Sequence, residues 1–148
     1  MSLKEQINND LKDAMKSGDK LRLTTVRSIR ALILEYEKSG ATEEMNEEQE
    51  IKLLTSAAKK RKDSIEQYEK AGRNDLADTE KAELEIITGY LPKQLTEEEL
   101  TEEVKKLALE IGATMKKDFR ILMPKAVQVF KGKADGKMIK EIVEKILI

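Results

Sequence analysis

Apolar residues recur at helical spacing along nearly the whole chain, and no stretch alternates apolar with polar for long enough to make a strand. A first helix is predicted from Ser2-Leu3-Lys4-Glu5, a capping box whose hydroxyl and carboxylate each satisfy an amide left open at the helix start. It carries Leu3, Ile7, Leu11 and Met15 on one face and stops at Gly18. Asp19 caps a second helix whose wide apolar face runs through Leu21, Val26, Ile29, Leu32, Ile33 and Tyr36 to about Ser39, with Gly40 as the stop. Asn46 with Gln49 opens a third helix that continues to Ala71 before Gly72. Asn74 is expected to cap a fourth, which ends at Tyr90-Leu91-Pro92 because proline lacks an amide and disfavours helical geometry just before it.

Pro92-Lys93-Gln94-Leu95 reads as a hinge. Beyond it, Thr96-Glu97-Glu98-Glu99 is another capping box, opening a helix that presents Leu100, Val104, Leu107 and Ile111 before Gly112. A sixth helix spans about Lys116 to Phe130, with Pro124 marking a kink or a late start, and a seventh runs from Asp135 with Ile139, Ile142, Val143 and Ile146 on one side. The expected fold is all-α: a four-helix N-terminal domain over residues 1–92, then a small three-helix C-terminal domain over 96–148.

Two helices break their own apolar face with charge. In the third, Arg61 lies among Ile51, Leu54, Ala58, Ile65 and Tyr68; in the fourth, Glu80 lies among Leu76, Leu84, Ile87 and Leu91, with Glu83 slightly to one side. A lone buried charge is prohibitive, so the two faces make sense if the helices oppose each other and Arg61 pairs with the carboxylates, or if they line a polar pocket. Ser64 and Arg73 are near enough in sequence to join. The same network also fits a structural ion pair or an arginine with its head in water. Catalysis is the least supported reading, because Ser64 has no activating base. The run Lys59-Lys60-Arg61-Lys62 covers almost the full circumference of its helix and reads as a solvated surface.

Composition narrows the chemistry. The 148 residues contain neither cysteine nor histidine, which removes disulfides, thiolate nucleophiles, zinc sites of the usual ligand set and every imidazole dyad or triad. No apolar run approaches the ~20 residues of a membrane span, and the N-terminal stretch is amphipathic rather than a signal peptide. A cytoplasmic setting, with no membrane, metal or cofactor, is expected. Charged residues form 39% of the chain in nearly equal numbers of each sign, so no global field steers it to nucleic acid or anionic lipid. The charge is nevertheless segregated: residues 41–95 hold nine bases and thirteen acids, whereas Lys116 to Lys140 holds eight bases and two acids.

Those eight bases are Lys116, Lys117, Arg120 and Lys125, then Lys131, Lys133, Lys137 and Lys140 around the turn Gly132-Lys133-Ala134-Asp135-Gly136. Gly132 and Asp135 are explained as the stop and the cap of successive helices. The lysines are not. The Gly136 and Lys137 amides at the helix start, flanked by Lys133 and Lys137, suit a phosphate, although the Asp135 carboxylate competes for them. A nucleotide P-loop is excluded, since the spacing is one residue short and Met138 replaces the magnesium-binding hydroxyl. Aromatics are 3% of the residues, so single-stranded bases have no stacking platform, and any RNA contact would run through phosphates and shape.

The stretches "LKDAMKSGDKLRLTTVRSIRALI", "RKDSIEQYEKAGRNDLADTEKAELEIITGYLPKQLTEEEL" and "GKADGKMIKEIVEKIL" resemble the YqeY family over the whole chain. Residues 96–148 also resemble the C-terminal tail of GatB, the B subunit of glutamine-dependent tRNA amidotransferases. The resemblance implies an all-helical protein that contacts tRNA as that tail does, through Gly132, Lys133, Asp135, Gly136, Lys137 and their basic neighbours. Amidotransferase subunits or other translation proteins are the implied partners. The family label of carbon–nitrogen ligase activity, with glutamine as amido donor, belongs to the multisubunit enzyme, whose catalytic units this chain lacks. At Asp118-Phe119-Arg120-Ile121-Leu122-Met123 the chain departs from the tail pattern, which has a small residue and a glycine there; Arg120 adds a phosphate contact or blocks a close backbone approach. The expected function is thus a non-catalytic tRNA-interacting module. The alternatives are a protein-docking module that uses acidic helices 3 and 4 without nucleic acid, and an enzyme built on Arg61, Ser64, Glu80 and Glu83.

Overall fold

The computed structural model describes residues 1–40 and 43–148, and among them every regular element is a helix. In order these are α1 (Leu3–Ser17), α2 (Lys20–Lys38), α3 (Glu47–Lys70), α4 (Asn74–Thr88), α5 (Glu97–Ile111), a short 3-10 turn (Lys116–Asp118), α6 (Phe119–Phe130) and α7 (Gly136–Ile146). The chain separates into two compact units, Met1–Leu91 and Pro92–Ile148.

Local chemistry sets most boundaries. Ser2 and Glu5 form the reciprocal capping box at α1, as do Asn46 and Gln49 at α3, and the Asp19 side chain accepts from the Arg22 amide at α2. At α5 only half of the expected box forms: Thr96 Oγ1 accepts from the Glu99 amide, but the Glu99 carboxylate takes the Thr96 hydroxyl proton instead of reaching back to the backbone. Asn74 is not the cap of α4 but its first residue; Arg73 occupies the cap position without a side-chain bond, its guanidinium held by Asp75 at 3.2 Å. Pro124 stands inside α6, and the helix passes through it. The stretch from Lys116 begins as the tighter 3-10 turn, so α6 itself starts at Phe119.

In the N-terminal unit α1 packs on α2 and α3 on α4, with α2 also touching α3 and α4. The ion pairs Arg61 to Glu83 and Glu69 to Lys81 show α3 and α4 running antiparallel. The core gathers Leu3, Ile7, Val26, Ile29, Leu54 and Ile87. Met15, expected on the inner face of α1, is 59% exposed, and Ala14 is buried in its place. Ala14 falls nearer the Leu3–Ile7 stripe, at ~100° per residue, than Met15 does. Buried Thr25 satisfies its hydroxyl by donating to the Leu21 carbonyl at 2.9 Å.

The C-terminal unit closes around Leu100, Val104, Leu122, Phe130, Ile139 and Val143. Each such fully buried aliphatic or aromatic side chain is worth about 1.5–3 kcal/mol against exposure. α6 and α7 return antiparallel, and the returning chain is tied at its far end: Lys116 donates to the Ile148 carbonyl at 3.2 Å and Ile148 to the Thr114 carbonyl at 3.1 Å.

Candidate functional site

The turn between α6 and α7 is built as a rigid corner. Gly132 takes φ +79°, a conformation that glycine adopts without the side-chain clash of other residues, and the Lys133 and Ala134 amides both bond the Phe130 carbonyl, at 2.9 and 3.2 Å. Asp135 then caps α7, its carboxylate accepting from the Lys137 amide at 3.0 Å. The Lys137 amide expected to receive a phosphate is therefore already engaged, and any anion here must be held chiefly by the lysine heads. Two contacts were invisible in the sequence. Gln94 donates its side-chain amide to the Gly132 carbonyl at 2.6 Å, and the Leu95 amide donates to the Lys133 carbonyl at 2.8 Å. The stretch read as a hinge thus clasps the basic turn from outside.

Lys116, Lys117 and Arg120 lie at the opposite end of α6. There Asp118 folds its carboxylate back onto the Met115 and Thr114 amides, 3.0 Å each, and those two bonds hold its pKa below the ordinary carboxylate value. A twelve-residue helix separates this end from the turn, about 18 Å at 1.5 Å per residue. Lys125 lies between them along the axis, but it points about 140° away from Arg120 at 100° per residue. The exposed surface between Arg120 and Lys125 carries Ile121 and Pro124 instead of cations. The cations therefore form two stations joined by an apolar helix face.

Most cations of the two stations are exposed and outside any ion pair. Among the described residues Lys116, Lys117, Arg120, Lys125, Lys133, Lys137 and Lys140 form no ion pair, whereas Lys145 lies 3.8 Å from Glu97, and Lys105 and Lys106 are paired along α5. The carboxylates of α5 do not cancel the basic segment.

The polar network of the N-terminal unit forms between α3 and α4. Arg61 Nε lies 2.8 Å from Glu83 Oε2 and 3.5 Å from Glu80 Oε2, with all three side chains at most about a fifth exposed. Neither contact has hydrogen-bond alignment, which leaves Arg61 Nε and Glu80 Oε2 buried without a directed partner. The hydroxyl near the guanidinium comes from Ser28 of α2, at 3.5 Å, rather than from Ser64, and Arg73 is turned away to Asp75. A second polar contact escaped the periodicity altogether. The Tyr90 hydroxyl donates to Asp10, and Arg22 lies 3.6 Å from the same carboxylate. Partial burial, reinforced by the Asp10 charge, pushes the Tyr90 phenol well above its usual range. The signal available was Tyr90 itself, since a tyrosine ending a helix with its ring inward needs a partner for its hydroxyl.

Among the described residues no three carboxylates come together to hold a metal, and no helix is long and apolar enough to cross a membrane. The YqeY family profile, described as Yqey-like protein, matches residues 4–147. The chain belongs to the YqeY family. Curated relatives of this YqeY chain are named "Altered inheritance of mitochondria protein 41, mitochondrial". The one from Lachancea thermotolerans is 35% identical over 107 residues, covering 71% of this chain and 57% of that protein. The one from Pyrenophora tritici-repentis is 30% identical over 145 residues, covering 96% and 79% respectively. The Clavispora lusitaniae relative is 32% identical over 76% of this chain and 66% of its own. Those names overturn the expectation of a cytoplasmic setting. The absence of cysteine and of an apolar span is compatible with any aqueous compartment and never selected one.

Proposed function

We propose that this YqeY-family chain is a non-catalytic module that holds tRNA by its phosphates through the C-terminal unit, in the service of a tRNA amidotransferase or another translation protein. The observation that carries the reading is the exposed, unpaired state of seven basic side chains in one small unit, where Lys105, Lys106 and Lys145 are by contrast paired with carboxylates. Unpaired cations at two stations about a helix length apart suit a ligand with charge repeated along its length better than a single small anion. The rigid corner at Gly132 supports the same view, because it fixes where Lys133 and Lys137 project.

Docking of a protein through acidic α3 and α4 draws less support. Glu66, Glu69, Asp75, Glu80 and Glu83 all face basic partners within the unit. An enzymatic role for the Arg61 cluster is weakened by the displacement of Ser64 from it. The deciding experiment is an electrophoretic mobility shift with bulk tRNA at rising salt, together with Lys133→Glu/Lys137→Glu. Binding that weakens with salt and with the charge reversal is expected; no shift even at low salt would overturn the proposal.

A further inference from the structure

Where the ends of α1, α2 and α3 meet, the N-terminal unit holds a cleft of about 360 Å³, near the lower limit of typical ligand pockets. Its floor is apolar: Leu3 and Ile33 are buried, and Tyr36 and Met45 lie half-buried beside them. Its rim is acidic, with Glu5, Glu37, Glu43, Glu44 and Glu50 set against Lys4. Three of these carboxylates already serve the fold. Glu5 accepts from the Ser2 amide, Glu50 accepts from the Leu3 amide at 3.4 Å, and Glu37 is paired with Lys4 at 2.6 Å. Glu43 and Glu44 are exposed at the mouth and have no partner among the described residues.

This combination makes two demands on an occupant. The floor asks for an aliphatic or aromatic side chain, because half-buried Tyr36 and Met45 lose their remaining contact with water only when covered. The rim carries five carboxylates against one ammonium, and a single cation leaves most of that repulsion in place, so complementarity calls for several positive charges. The carboxylates do not converge on one point, which excludes a metal ion among the described residues as the source of that charge. We infer that the cleft docks a basic amphipathic peptide segment of a partner protein. An apolar side chain of that segment seats on Tyr36 and Met45, and its lysine or arginine heads lie against Glu43 and Glu44. This is the arrangement by which an amphipathic segment enters a groove, with apolar anchors giving affinity and charge giving selection. It is independent of the tRNA proposal, whose cations belong to the other unit.

The test uses the full chain and a fluorescein-labelled synthetic peptide of leucine and lysine patterned as an amphipathic helix. Its two controls replace every lysine by glutamate or every leucine by lysine. Anisotropy should rise with the leucine–lysine peptide alone, the Ile33 and Met45 methyl resonances should shift on binding, and Glu43→Gln/Glu44→Gln should weaken it about tenfold. Far-ultraviolet circular dichroism and the tRNA mobility shift of that variant should match the wild type, since both glutamates are exposed. Equal binding of the leucine-free peptide, undiminished binding by the double variant, or methyl shifts confined to other surfaces would overturn the inference. Shifts at Met45 that grow with protein concentration in the absence of peptide would do so too, by placing a second copy in the cleft.

Discussion

Arg61 Nε on α3 lies 2.8 Å from Glu83 Oε2 on α4, in the middle of faces that are otherwise apolar. Two carboxylates share one guanidinium there, and all three groups have given up most of their water. Arg61→Met should therefore cost about 3 kcal/mol, because it strands Glu80 and Glu83 together in a poorly hydrated site. Replacing all three, as Arg61→Met/Glu80→Leu/Glu83→Met, should recover stability to within about 1 kcal/mol of the wild type. Urea denaturation of the three proteins checks both numbers. An Arg61→Met protein as stable as wild type would mean that water reaches the carboxylates.

Tyr90 should report its own burial. Its phenol pKa is raised, so the native state keeps a proton that the unfolded chain releases near pH 10, and the resulting stability is present below that pH and lost as pH rises beyond it. In near-ultraviolet absorbance titrations, the difference between wild type and Tyr90→Phe should show no phenolate from this residue until the protein unfolds. At neutral pH the same substitution should cost about 1.5–3 kcal/mol, the range for a hydrogen bond to a charged group.

Asp118 should titrate below the ordinary carboxylate value, followed by carbon NMR of its side chain. Because its folded pKa is depressed, the stability it contributes is complete above about pH 4 and is lost as pH falls through the native value. Asp118→Ala should accordingly lower the melting temperature at neutral pH and expose the Thr114 and Met115 amides to hydrogen exchange. The two proteins should converge in acid.

If tRNA bridges both cationic stations, each should carry its own share of the salt dependence. Lys133→Glu/Lys137→Glu and Lys116→Glu/Lys117→Glu should each reduce the slope of log affinity against log salt by about two, and the combined variant by about four. A slope altered by only one of the pairs would confine the RNA to that end of α6.

The helices were legible in the sequence because their signals are local. Gly18, Asp19, Asn46 and Gly112 act within one turn of themselves, and the structure places all four as read. Asn74 failed as a cap for the same local reason, since Arg73 found a bidentate partner in Asp75 and the helix began a residue earlier than a cap at Asn74 requires. Opposed charges on apolar faces also foretold Arg61 meeting Glu80 and Glu83. What composition could not supply was direction in three dimensions. Counting cations from Lys116 to Lys140 says nothing of the helix that holds Arg120 and Lys133 apart, and no periodicity joins Tyr90 to Asp10, 80 residues away. The YqeY membership was carried by the long middle stretch, and the family profile spans residues 4–147.

The bonds from Gln94 and Leu95 to the Gly132–Lys133 carbonyls decide where the molecule can be divided. A fragment beginning at Thr96 would lose both of these braces and free the lysine-bearing corner to wander. One beginning at Pro92 would keep its scaffolding, so the four residues from Pro92 to Leu95 are the keystone of the C-terminal half and not slack.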